Sequence, residues 1–158
     1  MLLETINEFK IPIELDIFGF VEDLEYWSEC EKLIENMPNI FYKGIIKRDN
    51  LSNILKDYTF FIFPTLNENY GHVIVESFFY GLIPIVSNNT TPFSNFISKE
   101  LDMGFDLNKI SLKLKLERLA NLSDEEIDTL RSKCKKYCEQ LSYLNGIQID
   151  KYKQLFYE

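Results

Sequence analysis

Between Phe60 and Phe93 the chain reads FFIFPTLNENYGHVIVESFFYGLIPIVSNNTTPF, and this stretch narrows the fold more than any other. An apolar run, Phe60 to Phe63, stops at Pro64. A polar loop, Thr65 to Asn69, leads into Tyr70-Gly71-His72. A mostly apolar segment follows as far as Gly81, and a second short apolar run occupies Ile83 to Val86. Strand, loop, helix, turn and strand in that order make one βαβ unit. Parallel strands covered on both faces read as unbroken apolar runs of this kind, whereas half-exposed strands alternate.

The chemistry of such a unit lies where the loop becomes the helix. Gly71 stands at that junction, and the absence of a side chain lets a ligand approach the backbone closely. The first amides of a helix, together with the positive end of its dipole, favour phosphate. Glu68 precedes the junction and Glu76 follows it on the first turns of the helix. Two carboxylates beside an anion site suit a ligand that carries hydroxyls and phosphate together, as a phosphate-linked sugar does.

These residues resemble the donor-binding motif of the retaining GT-B glycosyltransferases, group 1 or family 4. That family's pattern is Pro-Ser/Thr, Glu-Gly-Phe-Gly, a second Glu, Ala-x-x-x-Gly and Pro-Val-Ile. The corresponding residues are Pro64-Thr65, Glu68-Asn69-Tyr70-Gly71, Glu76, Gly81 and Pro84-Ile85-Val86. A narrower subgroup with Glu-Asn-Phe-Gly-His and a later Thr-Pro-Trp is similar at Glu68 to His72 and Thr91-Pro92-Phe93. Glu25-Tyr26-Trp27 with Cys30, Tyr42-Lys43-Gly44 and Gly104-Phe105-Asp106 extend the likeness to roughly residues 3 to 140. The resemblance implies that Glu76 contacts the ribose hydroxyls of a nucleotide and that Glu68 contacts the hydroxyls of the donor sugar, which makes Glu68 the one catalytic candidate. It implies that the backbone amides of Tyr70, Gly71, His72 and Val73 face phosphate and sugar, and that Thr90, Thr91 and Pro92 form a turn beside the donor. His72 is the sole histidine and invites a general-base role, but the resemblance carries its backbone and not its ring.

With 158 residues the chain has the size of one domain, the usual span being ~100–200 residues. The resemblance implies that 1–158 is a single nucleotide-sugar-binding domain, the C-terminal half of a GT-B enzyme, with a helical tail from about 109 to 158. An apolar fraction of 46% supplies a core, and thirteen Phe and nine Tyr make it rich in rings. The net charge of −8 opposes binding to nucleic acid, which needs a basic face. Lys133, Lys135 and Lys136 form a local basic run, read either as a solvated helix face or as a peripheral membrane contact. Cys30, Cys134 and Cys138 have no metal-ligand spacing, and a sparse odd count fits reduced thiols and a cytoplasmic setting. No signal peptide is apparent, since Glu4 and Glu8 follow Met1 closely, and no apolar run approaches the ~20 residues of a membrane span.

Along the chain, helices are expected at Leu2 to Phe9, at Leu24 to Asn36 with Leu24, Trp27, Cys30 (or Glu31) and Ile34 on one side, and from a cap at Asp49 or Asn50 to Asp57. Trp27 reads as a core residue. Strands are expected at Ile13 to Phe18 before Gly19, at Ile40 to Lys43 before Gly44, and at Met103 to Leu107. Thr91-Pro92 reads as an N-cap followed by proline, which starts a short helix from Phe93 to Ser98. Lys109 to Asn121 is helical. Ser123 and Glu126 form a capping box for a helix running to about Leu141. Asn145-Gly146 reads as a turn before a last helix, Ile147 to Tyr157. Strands alternating with helices give an α/β fold, a Rossmann-like parallel sheet with flanking helices. Ligands of such sheets bind at the carboxyl ends of the strands, where Gly19, Gly44 and the loop after Phe63 are expected.

The resemblance also implies what lies elsewhere. Full enzymes of the family pair an acceptor domain with a donor domain, and an Arg and a Lys just upstream of the helix matched by Leu2 to Phe9 hold the diphosphate. No residue here matches either cation. The matching domain would lack its first, central strand, so an unusual strand order, a truncated product, a partner acceptor-domain chain or self-association through open sheet edges is expected. The implied activity is transfer of a glycosyl group from a nucleotide-sugar with retention, as in surface polysaccharide or lipopolysaccharide synthesis, with no cofactor and no metal. The rival is a donor-binding fragment or a subunit of a split enzyme, without turnover of its own. A receiver-domain reading fails, because it needs an acidic cluster at strand ends and a late Lys that the sequence does not place there.

Overall fold

A computed structural model describes residues 1–144 and divides the chain into two compact units. The first comprises Met1–Lys47 and Asn108–Asn121, and the second Arg48–Leu107 and the described residues from Leu122.

In the first unit, α1 (Leu2–Phe9) leads to β1 (Leu15–Phe18), α2 (Leu24–Ile34) and β2 (Ile40–Gly44). The strands pair in parallel, Leu15 opposite Ile40 and Ile17 opposite Tyr42. β1 begins at Leu15 and not at Ile13, because the Ile13 amide turns back to the Ile11 carbonyl (2.9 Å) while Leu15 is the first to reach across, to Asn39 O (3.0 Å). Asp23 caps α2 by accepting from the Tyr26 amide at 2.9 Å. The helix stops at Ile34, short of the expected Asn36, since Asn36 and Met37 donate three residues back and tighten the last turn. The side shared by Leu24, Trp27, Cys30 and Ile34 is only partly covered: Leu24 is 77% exposed, no residue of α2 is fully buried, and Trp27 is half-buried against Tyr42 with ring centroids 4.4 Å apart. α5 (Lys109–Leu119) completes this unit, capped by Asn108 Oδ1 accepting from Ser111 N at 2.9 Å. Its Leu112 and Leu116 are buried, as is Ile6 of α1.

The second unit opens with a 3₁₀ turn, Arg48–Asn50, and a short α3 (Leu51–Leu55). α3 ends before the expected Asp57, and Asn50 precedes it without a side-chain cap. β3 (Phe60–Phe63), α4 (His72–Phe79) and β4 (Ile83–Ser87) follow, then β5 (Gly104–Phe105) and α6 (Asp124–Leu144). All pairings are parallel in the order β3-β4-β5, with Phe60 opposite Ile83 and Val86 opposite Gly104. Every residue of β4 is buried, as its unbroken apolar run requires. β5 keeps only two of the five expected residues; before it the Met103 amide is taken by Ile97 O (2.8 Å), and after it the Asp106 carboxylate accepts from Asn88 Nδ2 (2.9 Å). Thr91 Oγ1 does accept from the Phe93 amide (3.1 Å), but the segment beyond is a π-helical turn, Phe96–Glu100, closed by Leu101 N to Phe96 O at 3.1 Å. The capping box forms as read: Glu126 N donates to Ser123 Oγ (3.3 Å) and Ser123 N to Glu126 Oε2 (2.9 Å). α6 runs three residues past the expected Leu141. The Asn145-Gly146 turn and the helix from Ile147 fall outside the described residues.

The expected α/β class is therefore met, with parallel strands flanked by helices. Among the described residues the five strands lie in two sheets, of two and three strands. Cys30, Cys134 and Cys138 are not joined in disulfides, and burial pushes the thiol of Cys134 up to about 12. No described helix is long and apolar enough to cross a membrane, and no described cluster of His, Cys, Asp and Glu has metal-holding geometry.

Gly104 gives the tightest packing constraint. A Cβ there would lie 2.2 Å from both Asn88 Oδ1 and Ser98 Oγ, two atoms bonded to each other at 2.6 Å. Gly104→Ala must push that pair apart in the gap between β4, β5 and the π turn. Its expected cost is about 1–3 kcal/mol, read from the urea midpoint at unchanged m-value.

Candidate functional site

The loop from β3 to α4 turns sharply at both ends. Thr65 N returns to Phe63 O (3.0 Å) and Thr65 Oγ1 donates to Asn67 O (3.1 Å). The Glu68 amide crosses to the loop after β4 and donates to Thr90 O at 2.9 Å. Gly71 then starts α4 from the left-handed region, φ 80° and ψ 50°, which an L side chain adopts only at a cost. Gly71 O accepts from both Ile74 N (2.9 Å) and Val75 N (3.3 Å), so the helical ladder begins there. The amides of His72 and Val73 precede those donors, in the part of a helix that has no intrahelical acceptors.

Glu68 and Gly71 are neighbours: a Cβ on Gly71 would lie 3.4 Å from Glu68 Cγ and 3.0 Å from Ile74 Cδ1. The glycine residue is thus buried beneath those two side chains, whereas His72 and Val73 are exposed. The exposed residues of this first turn are accordingly the two that follow the glycine. Tyr70 is 37% exposed and packs on the His72 ring (centroids 4.9 Å apart) and edge-on against Phe93 (5.6 Å). Glu76 lies one helical turn after His72 on the same face of α4 and is half-buried. Loss of water raises its carboxyl above the ordinary range, and the positive charges of Arg48 and His72 oppose that rise. The two acidic side chains therefore flank one helix start: Glu68 packs at the glycine and Glu76 stands a turn into the helix.

Thr91, expected to face the donor, spends its hydroxyl on the Phe93 amide and its carbonyl on Ser94 Oγ (2.8 Å). Its neighbour Thr90 is what meets the Glu68 loop. Gly19 and Gly44 come together in the first unit, at the carboxyl end of β1 and β2, where Gly19 N donates to Gly44 O (3.0 Å) and the Tyr42 hydroxyl to Gly19 O (2.8 Å). Gly44 has φ 73°, and nothing stands within 4 Å of a Cβ built on either glycine. Reading the sequence missed Ser87. It ends β4 at 1% exposure, and its hydroxyl donates to Thr65 O across the mouth of the loop. A serine closing an otherwise apolar strand is the only local signal of it.

The family described as glycosyl transferases group 1 matches residues 2–140. No curated protein matches the chain. Among solved structures, the crystal structure of a GtfA/B complex superposes with a TM-score of 0.72 at 17% identity, covering 98% of this chain and 32% of that one. The pneumococcal O-GlcNAc transferase GtfA in complex with UDP and GlcNAc gives 0.64 at 18% identity, covering 98% and 31%. At these identities the likeness establishes the fold. The chain spans about a third of the length of the solved chains it matches.

Proposed function

The chain belongs to the group 1 glycosyltransferases, and from that premise we propose that it holds the nucleotide-sugar donor for a retaining glycosyl transfer. The supporting observation is the helix start itself: a left-handed glycine with Glu68 packed on it, exposed His72 and Val73 in the first turn, and Glu76 one turn beyond. In this reading the first-turn amides and the dipole of α4 face the diphosphate. Glu76 accepts from ribose hydroxyls and Glu68 from hydroxyls of the transferred sugar. Tyr70 walls the site through its packing on Phe93. Rate acceleration rests on positioning the anomeric carbon and on stabilising charge that accumulates on the departing diphosphate. Neither task needs a resident cofactor. Three free thiols support a reducing, cytoplasmic setting. Synthesis of a surface polysaccharide is the role we assign by analogy with the family.

A second reading, donor binding without turnover by one subunit of a split enzyme, draws on the two-component complex named for one structural neighbour. Titration calorimetry with UDP, GDP and their sugar conjugates, followed by a transfer and hydrolysis assay on the same sample, separates the two. Binding with turnover supports the first reading, and binding alone supports the second. No heat with any of these ligands refutes both.

A further inference from the structure

We propose that Ser87 is a positioning residue of the donor site, whose buried hydroxyl holds the loop that presents Glu68 to the donor sugar. The proposal rests on the donor-binding reading and adds to it the element that fixes the sugar-facing carboxylate. Ser87 is the last residue of β4, the strand hydrogen-bonded to β3 on one side and β5 on the other. The four residues before it, Ile83 to Val86, are apolar and buried. A hydroxyl in such a place must find a partner. Its partner is not in the sheet: Ser87 Oγ donates to Thr65 O, 22 positions earlier, at the point where the loop leaves β3.

A second clasp lies three residues along the same loop. Glu68 N donates to Thr90 O at 2.9 Å, and Thr90 is itself tied back to Ser87 by Thr90 Oγ1 donating to Ser87 O at 2.8 Å. The two hydroxyls, Ser87 Oγ and Thr90 Oγ1, lie 3.3 Å apart. Ser87 is therefore shared by both attachments, one through its side chain at Thr65 and one through its carbonyl by way of Thr90. These bonds tie the loop at Thr65 and at Glu68, and Glu68 Cγ stands 3.4 Å from where a Cβ on Gly71 would lie. Glu76 is carried by α4 and depends on neither clasp. Loosening the clasps should therefore weaken the grip on the sugar and spare the grip on the nucleotide.

Calorimetric affinities for UDP, GDP, UDP-N-acetylglucosamine, UDP-glucose and GDP-mannose test this on the wild-type chain, Ser87→Ala, Glu68→Ala and the double variant. The quantity read is the gain in affinity from nucleotide to nucleotide-sugar. Ser87→Ala is expected to cut that gain about 5- to 10-fold while changing affinity for the bare nucleotide less than about twofold. In the Glu68→Ala background the same change should have no further effect on the gain, since the two residues act in series. Ser87→Cys, nearly isosteric and a weak donor, is the second variant if Ser87→Ala does not fold, with a smaller loss expected. An unchanged gain in Ser87→Ala or Ser87→Cys, equal losses for nucleotide and nucleotide-sugar, or full additivity with Glu68→Ala overturns the assignment and leaves the donor-binding reading standing. Failure of the wild type to bind any of the five ligands removes both.

Discussion

Phe78→Ala is expected to cost about 3–5 kcal/mol of folding stability, a large part of the ~5–15 kcal/mol typical of a domain. Phe78 is 2% exposed on the inner face of α4. Its ring meets Phe93, Phe96 and Tyr137 edge-on, with centroids 6.1, 5.6 and 5.7 Å away. Phe96 and Tyr137 in turn stack at 3.7 Å, so truncation opens a void walled by rigid rings that cannot collapse into it. Phe93 carries the effect to the site, because its other neighbour is Tyr70 at 5.6 Å. Urea unfolding followed by far-UV circular dichroism measures the loss, and Phe78→Leu, which keeps most of the volume, should lose much less. A loss below about 1 kcal/mol for Phe78→Ala would mean that this aromatic cluster does not hold α4 on the sheet.

Glu76→Ala should weaken binding of nucleotide and nucleotide-sugar alike by about 10- to 100-fold, the value of hydrogen bonds to a charged acceptor. The effect should depend on pH. Burial raises the Glu76 carboxyl above its ordinary range while Arg48 and His72 pull it back. Only the ionised form accepts from two hydroxyls at once, so wild-type affinity should fall as the solution is acidified through this raised value. Glu76→Gln should lose that dependence. Stability runs the other way. The folded chain holds the Glu76 proton more tightly than the unfolded chain, so this group's contribution falls as pH rises from the unfolded to the folded value. Glu76→Gln should therefore be slightly more stable than wild type above that window. Calorimetry and urea unfolding across pH 4.5 to 7.5 read both. Unaltered affinity in Glu76→Ala would remove Glu76 from the donor site.

Much of this was legible in the residues because punctuation is local. Pro64, Gly71 and Gly81 bracket β3, α4 and β4 almost to the residue, and Ser123 with Glu126 announces α6. The Glu68, Gly71 and Glu76 trio could be proposed for the same reason: it lies on one continuous stretch. What escaped depends on distant partners. Ser87 looks like the end of a strand, and nothing near it points to Thr65. The π turn at Phe96–Glu100 arises because Leu101 bonds to Phe96, a choice that helical spacing does not encode. The exposure of Leu24 escaped for another reason. Periodicity tells which residues share a helix face, but not whether anything covers that face, and here Leu24 is open to solvent.

The grip of one helix start on a sugar diphosphate is tested most directly by amide chemical shifts of the ¹⁵N-labelled chain during titration with UDP, GDP and their sugar conjugates. The largest changes should fall on His72 and Val73, with Glu68 moving only for the sugar-bearing ligands. Saturable binding whose shifts leave the Tyr70 to Val73 amides in place would contradict it.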